Sequence, residues 1–297
     1  MIPATESTDP ALEDLDSWPP GQILDALWQG QLAAVLALGP ALSHLEQAAE
    51  AALPLLASGG RLVYVGAGTS GRIGVQDGAE LNPTFNWPTE KLILLLAGGE
   101  AAFVNAVENA EDRGDLAREA IARHQIAASD VVIGIAASGA TPYTLAAVEA
   151  ARTAGALTIA IANSPGSALL AAAAHSILLE TAPEPIAGST RLKAGTAQKV
   201  ALNLLSTLLM IRLGRVYRGQ MVDMQARNEK LRRRAVRMVM QLGDCSEGAA
   251  NIALAATGGQ VKPALLVLQG LDAEAASASL ARHGNSLRAA LASLPPP

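Results

Sequence analysis

Short β-rich runs alternate with helical patterns through the middle of this 297-residue chain, and this alternation constrains the fold more than any other feature. Strands separated by helices are typical of βαβ units, which build a parallel sheet covered by helices on both faces. The predicted strands, the last of them weaker, are Arg61 to Val65, Leu92 to Ala97, Asp130 to Ala136, Leu157 to Ala162 and Ser176 to Glu180. Half of the residues are apolar but only 3% are aromatic, which suits Ala- and Leu-rich helices packed closely on such a sheet. We therefore expect an α/β fold with three layers.

Helical patterns also precede and follow the predicted sheet along the chain. An acidic arm and two helices, separated by Gly39-Pro40, come before it, and a long run of helical sequence with glycine breaks comes after it. We expect an N-terminal arm with helices packing on the core (1–58), an α/β ligand-binding domain (59–230) and a small all-helical C-terminal module (231–297).

Charge, cysteine content and histidine spacing limit the partners, the location and the bound groups that we expect for this protein. A formal charge of −5 gives no general attraction to nucleic acid or to an anionic membrane surface, and we expect neither as a partner. Cys245 is the only cysteine, so no intramolecular disulfide can form, and the first residues lack the basic-then-apolar order of a secretory signal. The sequence thus favours a cytoplasmic protein. The four histidines do not have the spacing of metal ligands, and we expect neither a metal nor a cofactor.

The loop GAGTSGR (66–72), which follows the first predicted strand and opens a helix, is the first candidate site. It contains G-x-G-x-x-G, but a dinucleotide site also needs an acidic residue at the end of the second strand, where this chain has Ala97-Gly98-Gly99. It is not a Walker loop either, because no Gly-Lys-Ser/Thr follows. The glycines, the hydroxyls of Thr69 and Ser70 and a helix N-terminus instead indicate an anion-binding loop. An ordinary strand-to-helix turn remains the alternative for this loop taken alone.

Two further segments have the same chemistry. In AASGATP (136–142), Thr141 occupies a natural N-cap position before Pro142, and capping its helix is compatible with contacting a phosphate. The segment 188–196 again places hydroxyls and two cations before a long helix. Ligands in open α/β sheets bind at the edge formed by the carboxyl ends of the strands, where the first two loops should emerge. The residues that we expect to bind a phosphorylated small molecule are Thr69, Ser70, Ser138, Gly139, Thr141, Ser189 and Lys193.

Together these segments resemble one family. GAGTSGR, AASGATPY (136–143), GSTRLKAGTAQK (188–199), RNEKL (227–231) and the acidic segment 107–112 are similar to those of the N-acetylmuramic acid 6-phosphate etherases, which belong to the sugar isomerase (SIS) domain group. The resemblance implies an SIS phosphosugar-binding fold, a ubiquitin-associated-type (UBA-like) helical tail, and a homodimer with sites at or near the subunit boundary. It also implies a carbon–oxygen lyase that cleaves a D-lactyl ether with water, giving N-acetylglucosamine 6-phosphate and D-lactate during cell-wall recycling.

The resemblance places the family's two catalytic glutamates on Glu80 and Glu111. Glu80 is the expected acid that protonates the departing lactate, and Glu111 is the expected base at C2 and for water. Two carboxyl groups can perform such an elimination and hydration without a metal. Spacing alone singles out neither residue, and Glu108 and Asp112 are obvious decoys. The family more usually has Ala-Ser before the first glutamate, where this chain has Gly78-Ala79.

Two other functions share this domain ancestry. A non-catalytic phosphosugar sensor, like the glucokinase regulatory proteins, would keep Ser70, Ser138 and Lys193 but would need neither glutamate. An aldose–ketose phosphosugar isomerase is the second alternative. The presence of both glutamates in their motifs favours the etherase, and the chain is too short for the two SIS domains of the regulator.

Overall fold

The structure is a computed structural model that describes residues 7–105, 107–226 and 228–295. The segment RNEKL begins at Arg227, which lies outside the described residues. The chain divides into two compact units. The first contains the described residues up to Gly78 together with Glu90–Ser206, and the second contains Ala79–Thr89 together with the described residues from Thr207 onward.

The first unit is built on one parallel five-stranded sheet. Its strands are β1 (Leu62–Gly66), β2 (Leu92–Leu96), β3 (Val131–Ala136), β4 (Leu157–Ala162) and β5 (His175–Leu178). Every predicted strand is present, with ends within two residues of the expected ones. The spatial order is β2-β1-β3-β4-β5, so β1 and β3 are neighbours in register from Leu62 opposite Val131 to Gly66 opposite Ile135.

Helices precede, connect and follow these strands. They are α1 (Pro20–Leu36), α2 (Leu42–Ala57), α3 (Gly68–Phe85), α4 (Ala101–Val104), α5 (Gly114–Arg123), α6 (Pro142–Thr153), α7 (Ala168–Ala172) and α8 (Lys193–Arg212). Both α3 and α8 begin in the first unit and end in the second.

Close packing on both faces of the sheet creates the three expected layers. On one face, α5, α6 and α7 share a buried apolar cluster with the strands, and a Cβ on Gly134 would lie only 2.4 Å from a methyl of Val148. On the other face, α3 approaches so closely that a Cβ on Gly74 would lie 2.9 Å from the Ile135 side chain. Burial of both faces explains why β1 and β3 are continuous apolar runs rather than alternating ones.

The second unit is helical after α8. Its further helices are α9 (Glu229–Gly243), α10 (Glu247–Ala256), α11 (Val261–Val267), α12 (Ala273–Arg282) and α13 (Leu287–Ala292). They enclose a separate apolar core, which also contains a buried ion pair of 2.7 Å between Lys262 Nζ and Asp223. Burial lowers the pKa of Lys262, and Asp223 opposes this shift. The small helical C-terminal part is therefore confirmed. Among the described residues, no helix is long and apolar enough to cross a membrane.

Candidate active site at the carboxyl edge of the sheet

The first two predicted loops lie side by side in the structure. GAGTSGR follows β1 and the loop with Ser138, Gly139 and Thr141 follows β3, its immediate neighbour in the sheet. The strand order reverses between β1 and β3, which is the position where open parallel sheets leave a crevice for ligands. The topology thus brings two hydroxyl-bearing loops and two helix N-termini to one place.

Glycines in the first loop allow the strand and α3 to approach each other. A Cβ on Gly66 would lie 2.8 Å from the Gly71 Cα, and a Cβ on Gly71 would lie 2.7 Å from the Gly66 carbonyl. Gly68, with φ of +51°, turns the chain into α3 in a conformation that favours glycine. The G-x-G-x-x-G pattern therefore has a packing reason in this chain that needs no dinucleotide.

Glu111 lies beside the first loop. It belongs to a short 3₁₀ helix, Ala110–Asp112, which is held by the buried Ala110 and entered through a left-handed turn at Asn109. Its Oε1 atom is 3.6 Å from the position that a Cβ on Gly68 would occupy. The carboxylate consequently lies at the N-terminal end of α3, where the helix dipole and unpaired N–H groups favour negative charge.

The second loop has the predicted local geometry with one difference. Thr141 occupies the N-cap position and Pro142 the first helical position of α6, but the Thr141 hydroxyl makes no capping hydrogen bond. Ser138 instead accepts a hydrogen bond of 3.2 Å from the Ala140 N–H. Gly139 has a φ of +63°, and its lack of a side chain leaves room for Ser167 in the loop that follows β4. The hydroxyls of Ser138 and Thr141 thus keep donors for a ligand.

The third segment borders the first, since a Cβ on Gly195 would lie 3.4 Å from the Thr69 methyl group. The buried Glu184, however, uses both carboxylate oxygens to accept the N–H groups of Lys193 and Ala194, at 2.9 and 2.8 Å. This carboxylate occupies the N-terminus of α8, so any anion bound there must use side chains such as Ser189. The Lys193 ammonium itself donates to the Pro183 carbonyl at 2.9 Å.

Glu80 lies further along α3, in the part of that helix that belongs to the second unit. It is twelve residues after Gly68, which corresponds to a helical rise of about 18 Å. The unusual Gly78 permits close packing, because a Cβ there would lie 2.6 Å from a methyl of Leu94. The Leu94 side chain of β2 thus occupies the space that a side chain at position 78 would need.

Asp77 anchors α3 within the first unit. Its buried carboxylate accepts hydrogen bonds from the Tyr64 hydroxyl at 2.7 Å, the Asn203 amide at 2.6 Å and the Ser206 hydroxyl at 3.2 Å. Burial and the neighbouring carboxylate raise the pKa of Tyr64, so it remains a donor. These bonds connect β1 and α8 to the helical turn immediately before Glu80.

Sequence reasoning missed the supporting roles of several residues. Glu184, Asp77 and Gln198 are buried polar groups whose partners are distant in sequence; Gln198, for example, donates to the Asn163 side chain at 2.8 Å. The signal that could have found Asp77 is a carboxylate at helical spacing from the apolar Ile73 and Leu81. Gln198 is part of the AGTAQK motif, and its burial gives that motif a structural function.

Comparison with known proteins agrees with this architecture. A family model described as the glucokinase regulatory protein N-terminal SIS domain matches residues 44–152, and the SIS domain model matches residues 109–208. A solved structure from Bacteroides fragilis, of a protein assigned as a phosphosugar isomerase involved in capsule formation, aligns with a TM-score of 0.50. It is 20% identical and covers 65% of this chain and 91% of its own, so it supports the fold alone.

Curated relatives match almost the whole chain. The N-acetylmuramic acid 6-phosphate etherase of Deinococcus radiodurans is 50% identical over 288 residues, covering 97% of this chain and 94% of its own. The etherase of Streptomyces coelicolor is 47% identical over 290 residues, covering 97% of this chain and 93% of its own. With this identity over this length, the chain belongs to the N-acetylmuramic acid 6-phosphate etherase family.

Proposed function

We propose that this protein cleaves the D-lactyl ether of N-acetylmuramic acid 6-phosphate with water, giving N-acetylglucosamine 6-phosphate and D-lactate in the recycling of cell-wall amino sugars. The observation that carries the proposal is the position of Glu111, a carboxylate beside Gly68 at the mouth of two hydroxyl-bearing loops. The names and the 44–50% identity of the curated relatives support the same reaction. The free Cys245 is compatible with the reducing cytoplasm that we propose as its location.

The phosphate would bind at the reversal of strand order. Ser70, Ser138 and Thr141 present hydroxyls there, and the N-termini of α3 and α6 add N–H donors and favourable dipoles. Gly139 keeps the second loop close to its neighbour, and Thr69 adjoins the segment that carries Ser189 and Lys193. Holding the phosphate at this edge directs the rest of the sugar toward Glu111.

The chemistry requires a base and an acid on adjacent carbons. In the open-chain sugar, the C1 aldehyde acidifies the hydrogen on C2, and Glu111 removes that proton. The electron pair forms the C2–C3 double bond as the C3–O bond breaks, and an acid protonates the departing lactate oxygen. Glu111 then releases its proton to solvent, and the acid regains one from it. As water adds to C3, Glu111 takes a proton from the water and passes a proton to C2. Each proton transfer needs a carboxyl group within about 3 Å of the reacting atom.

We assign the acid to Glu80, and helix geometry favours its supply by a second subunit. Glu111 lies beside Gly68, whereas Glu80 of the same chain is displaced by a helical rise of about 18 Å. C2 and C3 are directly bonded, so one substrate cannot contact both carboxyl groups across that distance. A homodimer in which Glu111 faces Glu80 of the partner subunit satisfies the chemistry, and two-fold symmetry would create two such sites.

The exposed face of α1 is the surface that we propose for this dimer. Leu24, Trp28 and Leu36 are 67%, 57% and 77% exposed on one side of a helix that carries a single charged residue. A position beside this stripe contacts the third segment, because Gln31 accepts a hydrogen bond from the Thr196 hydroxyl. A second copy packed on this stripe would bury its apolar side chains. It would also hold α1 in place beside the third segment, which Gln31 contacts through Thr196.

Lactate release from purified protein and N-acetylmuramic acid 6-phosphate tests the proposed activity. We expect Glu111→Gln and Glu80→Ala each to lower kcat by about 10²- to 10⁴-fold, the usual contribution of a general acid or base. Asp112→Asn is the matched control, since Asp112 is exposed on the same 3₁₀ helix as Glu111, and it should keep near wild-type rates. Binding of the phosphosugar without lactate release would indicate a sensor, and ketose formation would indicate an isomerase; either result contradicts the proposal.

A further inference from the structure

Arg72 ends the GAGTSGR loop, and a cation in an anion-binding loop would ordinarily be interpreted as a phosphate ligand. Its guanidinium group has other partners in this structure. Nε donates to the carbonyl of Ala102 at 2.9 Å, and Nη2 donates to the carbonyl of Asn105 at 3.2 Å. Two of the guanidinium nitrogens are thus directed at the end of α4.

These carbonyls need an external donor. Helix α4 is a single turn that ends at Val104, and the last carbonyls of a helix have no N–H partner within it. The peptide around α4 enters through Gly98 and Gly99, both with positive φ, and Val104 is 82% exposed. Arg72 therefore supplies donors to the carbonyls of Ala102 and Asn105 from outside α4.

The same peptide carries Glu111 back to the loop from which Arg72 extends. Arg72 holds Asn105, six residues before Glu111, and Glu111 returns to Gly68, one helical turn before Arg72. The contact of Arg72 with Asn105 and the contact of Glu111 with Gly68 thus both join the start of α3 to the segment that bears the proposed base. A shift of the peptide at Asn105 would be transmitted to the Glu111 carboxylate.

We propose that Arg72 is a positioning residue that holds the Glu111 segment against α3, and that it does not bind the substrate phosphate. This inference rests on the proposed function of Glu111. Its consequence is kinetic: loss of Arg72 should impair proton transfer at C2, because a misplacement of about 1 Å can lower a rate by about 10²-fold. Phosphate binding by Ser70, Ser138 and Thr141 should be preserved.

The test compares Arg72→Ala, Arg72→Lys and Arg113→Ala. Arg113 is the control, since it lies on the same segment and its side chain forms an exposed ion pair with Asp115. We expect Arg72→Ala to lower kcat by about 10- to 100-fold with KM changed by less than about threefold. Arg72→Lys, which keeps a donor, should have an intermediate kcat, and millimolar guanidinium should partly restore Arg72→Ala but not Glu111→Gln. A large rise in KM at unchanged kcat would mean that Arg72 binds phosphate, and unchanged kinetics would also overturn the inference.

Amide hydrogen exchange separates this inference from the proposed activity. In Arg72→Ala, exchange should become faster for peptides covering 101–112 and remain unchanged for those covering 138–145. The measurement needs no turnover, so it tests the contact even if the wild-type protein releases no lactate. Equal protection of 101–112 in wild type and variant would refute the positioning role, and an unchanged thermal unfolding midpoint would show that the variant is folded.

Discussion

Gly71 shows how one residue can determine the shape of the candidate site. Alanine is normally better than glycine within a helix by about 1 kcal/mol. At this position, however, the added Cβ would lie 2.5 Å from Leu96 and 2.7 Å from the Gly66 carbonyl, and the main chain cannot move away cheaply. We expect Gly71→Ala to lower the free energy of unfolding by about 1–3 kcal/mol, measured by urea denaturation.

Gly21→Ala is the matched control for this prediction. Gly21 is also helical, in the first turn of α1, but a Cβ there would meet no atom within 4 Å. Its substitution should leave stability unchanged or raise it slightly. Equal stability of the two variants would show that close approach is not what requires glycine at position 71.

Local pattern predicts the position of individual hydroxyls but not their partners. Thr69, Ser70 and Thr141 lie at helix N-termini, as expected, because turn and capping preferences depend on neighbouring residues. No local pattern indicates Glu184 as the group that occupies the N-terminus of α8. Its contacts with Lys193 and Ala194 depend on the path of the chain between them, which no short-range preference specifies.

At the scale of elements, one ion pair connects the starts of two central strands. Arg61 immediately precedes β1, and Asp130 immediately precedes β3. They form a salt bridge of 2.6 Å, in which the Asp130 side chain is 1% exposed. Burial raises the pKa of Asp130, but hydrogen bonds from Arg61 and the Ala127 N–H outweigh this, and the net shift is downward.

The direction of that shift predicts how stability depends on pH. A carboxyl group whose pKa is lower in the folded state stabilises the fold above its unfolded pKa, about 3.9, and loses this contribution as the pH falls through the folded value. Asp130→Asn should therefore destabilise the protein by about 3 kcal/mol at pH 7. The difference from wild type, measured by chemical denaturation, should shrink below about pH 4. A difference that stays constant or grows in acid would contradict this account.

The strands themselves are predictable from the sequence, whereas their spatial order is not. The first four strands are short, mostly apolar runs, and burial on both faces makes such runs distinct. The order β2-β1-β3-β4-β5 depends on which helix covers which face, information that is spread over the whole chain. That order places the first two loops together, so the candidate site is defined only once the strands are arranged in the sheet.

At the scale of the whole molecule, we propose that a second subunit completes the site. Glu111 is located beside the first loop, whereas Glu80 follows Gly68 by a helical rise of about 18 Å on α3. The spacing of 31 residues in sequence does not indicate that the two carboxyl groups meet within one chain, and we propose that the partner subunit supplies the acid to C3. Two inactive variants can test where that acid originates.

Glu80→Ala and Glu111→Gln should complement each other when mixed. In a mixed dimer, one site would lack both glutamates and the other would contain both, because each site takes one residue from each subunit. Random exchange of subunits after mild unfolding and refolding should restore about a quarter of wild-type lactate release. Sites formed within one chain would remain inactive in every combination, and that result would exclude the shared site.

Trp28→Glu tests whether complementation depends on the exposed face of α1. Burying a charge in the apolar stripe of Leu24, Trp28 and Leu36 is costly, so this substitution should shift the molar mass in light scattering toward the monomer. Introduced into both inactive variants, it should also abolish their complementation. Val104→Glu places the same charge on another highly exposed apolar residue and should preserve both the dimer and the complementation. If Val104→Glu dissociates the dimer and Trp28→Glu does not, the interface lies at α4 and the assignment to α1 is wrong.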